Sequence, residues 1–119
     1  LLVDDEPSVR MVGQCTLASL GYEPVVAHDG MEALTLFREH HHRLVMVICD
    51  VVMPGLSGPE TVRRMRGIDA SVPMVLASGY PDDHVGQVET SESVNMLVKP
   101  YHRTDLATLL DRSGRRLPR

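Results

Sequence analysis

Two periodicities alternate along this 119-residue chain. Short, continuous apolar runs predict buried strands near 1–4, 24–28, 44–49, 73–77 and 95–98. Between them, apolar residues recur every three or four positions and predict helices near 7–20, 30–40, 57–67, 82–90 and 103–112. Five such repeats are the signature of a doubly wound α/β fold, a parallel sheet with helices on both faces. Pro7 suits the first turn of the first helix and Gly21 suits a left-handed cap at its end. Ser57 is placed to cap the third helix, with Glu60 completing a capping box, and Thr104 is placed to cap the fifth. The segment from Asp82 to Ser93 has only two apolar residues, Val85 and Val88, and contains Gly86. Its helix should be the least stable element.

The first helix carries two apolar stripes. At 100° per residue, Val9, Gly13, Thr16, Leu17 and Leu20 share one side, while Met11, Cys15 and Ala18 share the other. Only one stripe can face the sheet, so the second is either incidental apolar surface or a docking face for a partner helix.

Composition narrows the class. The length fits one domain, with residues 1–112 as the folded unit and the basic 113–119 (SGRRLPR) as a tail or linker. Opening on Leu1 inside an apolar strand, the chain reads as trimmed. A hydrophobic content of 43% with 24% charged residues is that of a soluble protein, and no run approaches the ~20 residues of a membrane span. Net charge of −4 argues against direct nucleic-acid binding by the domain as a whole. Cys15 and Cys49 lack metal-ligand spacing and read as reduced core thiols.

Chemistry concentrates where the strands end. Four apolar runs stop at Asp4, Asp50, Ser78 and Lys99, and carboxyl ends of parallel strands lie along one sheet edge, where open α/β folds place their sites. Asp5 adds a third carboxylate. Like charges at about 4 Å repel by about 4 kcal/mol at an effective dielectric near 20, so the trio asks for a cation, and its all-oxygen chemistry suits Mg²⁺. Asp50 ends a wholly apolar strand and precedes a turn-forming segment, which makes it the candidate nucleophile toward phosphorus. Lys99 is the only lysine among twelve basic residues. Its compact ammonium suits a phosphate oxygen better than a guanidinium fork would. Ser78, followed by Gly79, can donate its hydroxyl to the same group. His40, His41 and His42 point about 100° apart on a helix end, so they cannot chelate as a set and instead solvate that terminus. His28, His84 and His102 are scattered, and Arg63, Arg64 and Arg66 read as a solvated helix face.

In order and spacing, VDDEP (3–7), ICDVVMPGLSG (48–58), LASGY (76–80) and LVKP (97–100) resemble the receiver domain of two-component signalling, over essentially the whole chain. The resemblance implies a flavodoxin-like five-stranded sheet of order 2-1-3-4-5 with Asp50 as phosphoacceptor. It implies Mg²⁺ bound directly by Asp5 and Asp50, by Asp4 largely through water, and by the Val52 carbonyl. Lys99 would hold the phosphoryl group and Ser78 would move toward it. The donor would be the phosphohistidine of a histidine kinase or phosphotransfer domain, docking on Met11, Cys15 and Ala18 with Pro100 alongside. Met96 stands where relatives usually carry an aromatic, so the switch set is Ser78, Met96 and Tyr80. Neither Val52 nor Tyr80 positions an attacking water, which implies slow self-dephosphorylation.

The ending after strand five resembles receivers of hybrid sensor kinases, which implies a cytoplasmic domain or one at the cytoplasmic face of the membrane. A phosphorylation-dependent homodimer is compatible with the family. Two rivals stand beside this reading. A Mg²⁺-dependent aspartyl phosphatase would need an acid-base carboxylate where Val52 stands, and an unphosphorylated interaction module would not need an intact Asp4, Asp5, Asp50 and Lys99.

Overall fold

A computed structural model describes residues 1–79, 94–99 and 101–113. The helix expected over 82–90, Tyr80, Pro100, the side chain of Met96 and the tail beyond Ser113 lie outside the described residues. Five parallel strands, β1 (Leu2–Val3), β2 (Val26–Ala27), β3 (Val47–Asp50), β4 (Met74–Ser78) and β5 (Val94–Val98), form one sheet of order β2-β1-β3-β4-β5. The described helices are α1 (Pro7–Ser19), α2 (Gly30–His40), α3 (Gly58–Ile68) and α4 (Arg103–Ser113), with a 3-10 turn at His41–Arg43. None of them is long and apolar enough to cross a membrane.

Alternation along the strands divides the core between the two sheet faces. Val3, Val47, Cys49, Met74 and Leu76 pack with Ala33, Leu34, Phe37, Val62 and Met65 of α2 and α3. On the other face Leu2, Ile48, Val75 and Ala77 pack with Leu17 of α1 and Leu106 and Leu110 of α4. Each fully buried large aliphatic contributes roughly 1.5–3 kcal/mol, so both layers must fill for the sheet to persist. Strand pairing is shorter than the apolar runs. Leu44 to Met46 bury into the two cores without joining the β3–β4 register, because the chain is still leaving the 3-10 turn there.

The caps differ in part from expectation. Gly21 takes φ 92°, and the Gly21 and Tyr22 amides donate to the Ala18 and Leu17 carbonyls, closing α1 in a Schellman turn. Ser57 Oγ accepts from the Glu60 amide at 3.3 Å, but the Glu60 carboxylate turns to Arg63 and Arg64, so the box is only half made. Thr104 is not a cap. It lies inside α4, and the helix start is held by Asp105, whose carboxylate accepts from the His102 amide at 2.8 Å. α2 is capped by Asp29, which accepts from the Glu32 amide at 2.8 Å. Asp29→Ala should cost about 1 kcal/mol, measured as a lower urea midpoint at unchanged slope.

Three surface readings also change. Cys49 is buried, but Cys15 is exposed, because its stripe on α1 faces away from the sheet. His41 does more than solvate a terminus: its Nδ1 lies 2.7 Å from Asp69 Oδ2 at the end of α3. Ser71 and His41 hold that carboxyl down at about 2. Arg66 is half-buried, leaving Arg63 and Arg64 as the solvated pair.

Candidate functional site

Strand register assembles the acidic edge. β1 and β3 are neighbours with Val3 opposite Cys49, so the residues that follow, Asp4 and Asp50, emerge side by side. β4 ends at Ser78, which is buried, and the Lys99 amide donates to the Ser78 carbonyl at 2.8 Å, which seats Lys99 at the tip of β5. One oxygen from each of Asp4, Asp5 and Asp50 lies within 4.8 Å of the others. Asp4 and Asp50 are buried, at 2% and 8% exposure, whereas Asp5 is open to solvent.

Lys99 Nζ sits 2.9 Å from Asp4 Oδ2 and 3.0 Å from Asp50 Oδ1. One ammonium against three carboxylates leaves two negative charges unmatched. Burial pushes the Asp50 carboxyl above its ordinary value of 3.8, with Lys99 opposing that shift and the charges of Asp4 and Asp5 adding to it. Burial alone would lower the Lys99 ammonium, but hydrogen bonds to Asp4 and Asp50 outweigh it and hold Lys99 more firmly protonated. The Cys49 thiol beside them is kept protonated by burial and by the charges of Asp50 and Asp4. An all-oxygen donor set with excess negative charge and one open side suits a hard divalent cation that retains several waters.

All the carboxylates singled out from the sequence, with Lys99, meet at this edge. Ser78 lies on the same edge, and Val52, just past Asp50, is 57% exposed. Met11, Cys15 and Ala18 are exposed together on α1, and Val12, at 63% exposure, widens that strip. Sequence reasoning missed three residues. Arg10 donates through Nη1 to the Asp4 carbonyl at 2.8 Å, while Asp4 Oδ1 accepts from the Glu6 amide at 3.0 Å, so the Asp4–Glu6 turn is held from both sides. Gly58 presses on the backbone of Asp50, where a Cβ would lie 2.1 Å from the Asp50 carbonyl oxygen. Tyr101 buries its hydroxyl under α1. Only Gly58 left a trace in sequence, as a glycine at a helix start after a turn-rich segment.

Similarity to known proteins follows the same lines. The response regulator receiver domain model matches residues 1–111. The sensor kinase CckA of Brucella abortus is 36% identical over 109 residues, covering 91% of this chain and 12% of that protein. The chain therefore spans a small part of that kinase. The structure of Vibrio cholerae chemotaxis protein CheY4 superposes with a TM-score of 0.84 at 30% identity, covering 94% of each chain. The receiver domain of a Pseudomonas aeruginosa sensor histidine kinase, with a magnesium ion coordinated in its active site cleft, gives 0.86 at 26% identity over 95% and 94% of the two chains. Sheet order, the acidic edge with its lysine and a match along nearly the whole sequence agree, and this chain belongs to the response regulator receiver domain family.

Proposed function

We propose that Asp50 accepts a phosphoryl group from a phosphohistidine on a histidine kinase or phosphotransfer domain. The observation that carries this is the close group of Asp4, Asp5 and Asp50 oxygens, with Lys99 bridging Asp4 and Asp50. Asp50 Oδ attacks phosphorus, the P–N bond breaks as the O–P bond forms, and the leaving imidazole takes up a proton. Asp5 and Asp50 side chains with the Val52 carbonyl would hold Mg²⁺, Asp4 acting largely through water. The ion would neutralise charge on the transferring phosphoryl oxygens. Lys99 would give up its bond to Asp50 for a phosphoryl oxygen, and Ser78 would supply its hydroxyl on the same edge. Met96 and Tyr80 belong to the proposed switch, and the exposed α1 strip of Met11, Cys15 and Ala18, with Pro100, to the proposed docking face.

Incubation with a small phosphodonor and Mg²⁺ should add one phosphoryl group to the native chain, read as intact mass. Asp50→Asn should gain none; equal uptake by that variant would overturn the assignment. This is stoichiometric uptake without turnover, and a phosphatase reading fails at Val52, whose hydrocarbon side chain has no proton to move. With that apolar side chain exposed beside Asp50, the phosphoryl group should decay over minutes or longer at neutral pH. A half-life of seconds after donor removal would contradict this.

A further inference from the structure

Tyr101 carries a hydroxyl that the resting arrangement does not use. Its Oη is buried and has no hydrogen-bond partner among the described residues. A buried hydroxyl left unpaired is costly, so its retention points to a second arrangement in which it is paired. The seat is specific. Gly13 is the only glycine in α1, and a Cβ there would meet Tyr101 Oη at 3.0 Å and Leu2 Cδ2 at 2.7 Å. A glycine inside a helix is unfavourable, and here it makes room for the phenol tip.

That seat adjoins the acidic edge. Leu2 and Asp4 are two residues apart on β1 and its extension, so they project from the same sheet face. Tyr101 and Lys99 line one cleft of about 480 Å³ with Ser8, Val9, Val12 and Gly79. Burial pushes the Tyr101 phenol above its ordinary value, and among nearby charges Asp4 weighs most, ahead of Lys99 and Asp50. The phenol is therefore a neutral donor close to a buried carboxylate. At rest Asp4 already has two side-chain contacts: Oδ1 with the Glu6 amide and Oδ2 with Lys99.

We propose that the Tyr101 hydroxyl is a reserve donor for Asp4, taking the place of Lys99 when the lysine turns to a phosphoryl group on Asp50. This rests on Asp50 as phosphoacceptor. Phosphorylation removes the Asp50 carboxylate as a partner of Lys99 and offers it phosphoryl oxygens instead. As Lys99 moves toward those oxygens its bond to Asp4 Oδ2 would lengthen, and Asp4, at 2% exposure, would be left with the Glu6 amide and water of the bound ion unless a protein donor closes on it. Tyr101 is a positioning residue here: it acts through Asp4 and touches no reacting atom.

The test compares the native chain with Tyr101→Phe, which removes one oxygen and keeps the ring. Titrations use Mg²⁺ alone and then beryllofluoride, a phosphoryl mimic, in saturating Mg²⁺. The variant should melt no lower than the native chain in the absence of ligands, bind Mg²⁺ within twofold of native, and bind beryllofluoride about fivefold more weakly. Equal beryllofluoride affinity in the two chains would overturn the proposal, as would equal weakening of both ligands or a lowered melting temperature without ligand. A native chain that takes no beryllofluoride would instead bring down the phosphoacceptor reading, and this inference with it.

Discussion

Lys99→Ala should destabilise the chain by about 3 kcal/mol at neutral pH, the low end of the penalty for removing one partner of a buried ion pair. Two carboxylates, Asp4 and Asp50, lose an ammonium held at 2.9 and 3.0 Å, and both are almost entirely shielded from water. The sign with pH follows from Asp50. Its carboxyl is harder to ionise in the folded chain than in the unfolded one, so its ionisation costs stability as pH rises through the folded pKa. Without Lys99 that cost grows. The gap between native and variant should be widest at neutral pH and should close on acidification toward and below the ordinary carboxyl value of 3.8, where both chains are protonated at this position. Urea titrations at pH 7 and pH 4 measure it, and an equal gap at both would contradict the assignment. Phosphoryl uptake should fall on the order of 100-fold, the usual consequence of removing a preorganised donor to developing negative charge.

Gly58→Ala should be nearly as damaging, for a steric reason. A Cβ at Gly58 would lie 2.1 Å from the Asp50 carbonyl oxygen and 2.8 Å from Val51 Cα. These neighbours are backbone, so relief requires moving α3 or the end of β3. The Gly58 amide also donates to the Val51 carbonyl at 2.9 Å, a bond that any such movement strains. Overpacking of this kind costs about 3 kcal/mol, at the upper end of its usual range. The same displacement shifts Asp50, the proposed phosphoacceptor, so uptake should fall in the fraction of the variant that remains folded. Gly55→Ala separates the two effects: Gly55 takes φ 78° in the same loop, but nothing lies within 4 Å of its Cβ position. That variant should lose stability through backbone strain without clashing with Asp50.

How much of this was legible beforehand depends on the range of the force involved. The alternation of apolar runs with helical stripes placed nearly every described element, because burial of periodic apolar faces is written locally. The extents of α2 and the cap at Gly21 came out residue for residue. Thr104 misled, because a hydroxyl near a helix start is only a local preference, and Asp105 reaches the His102 amide from one turn further in. Cys15 misled as a core thiol, because α1 has two apolar stripes and only packing decides which one is covered.

The order of residues alone sets out the available chemistry: Asp4, Asp50, Ser78 and the solitary Lys99 at the ends of four apolar runs, with Asp5 next to the first. How these groups are used at rest depends on the folded arrangement. Lys99 is 95 residues from Asp4, and no local pattern tells that its ammonium is shared between Asp4 and Asp50 before any phosphate arrives. The same holds for Gly58 under the Asp50 carbonyl, Arg10 on the Asp4 carbonyl and Tyr101 beneath Gly13. These contacts arise from steric fit and from shared burial across strands and helices, and both exist only once the parallel sheet has brought distant segments to one edge.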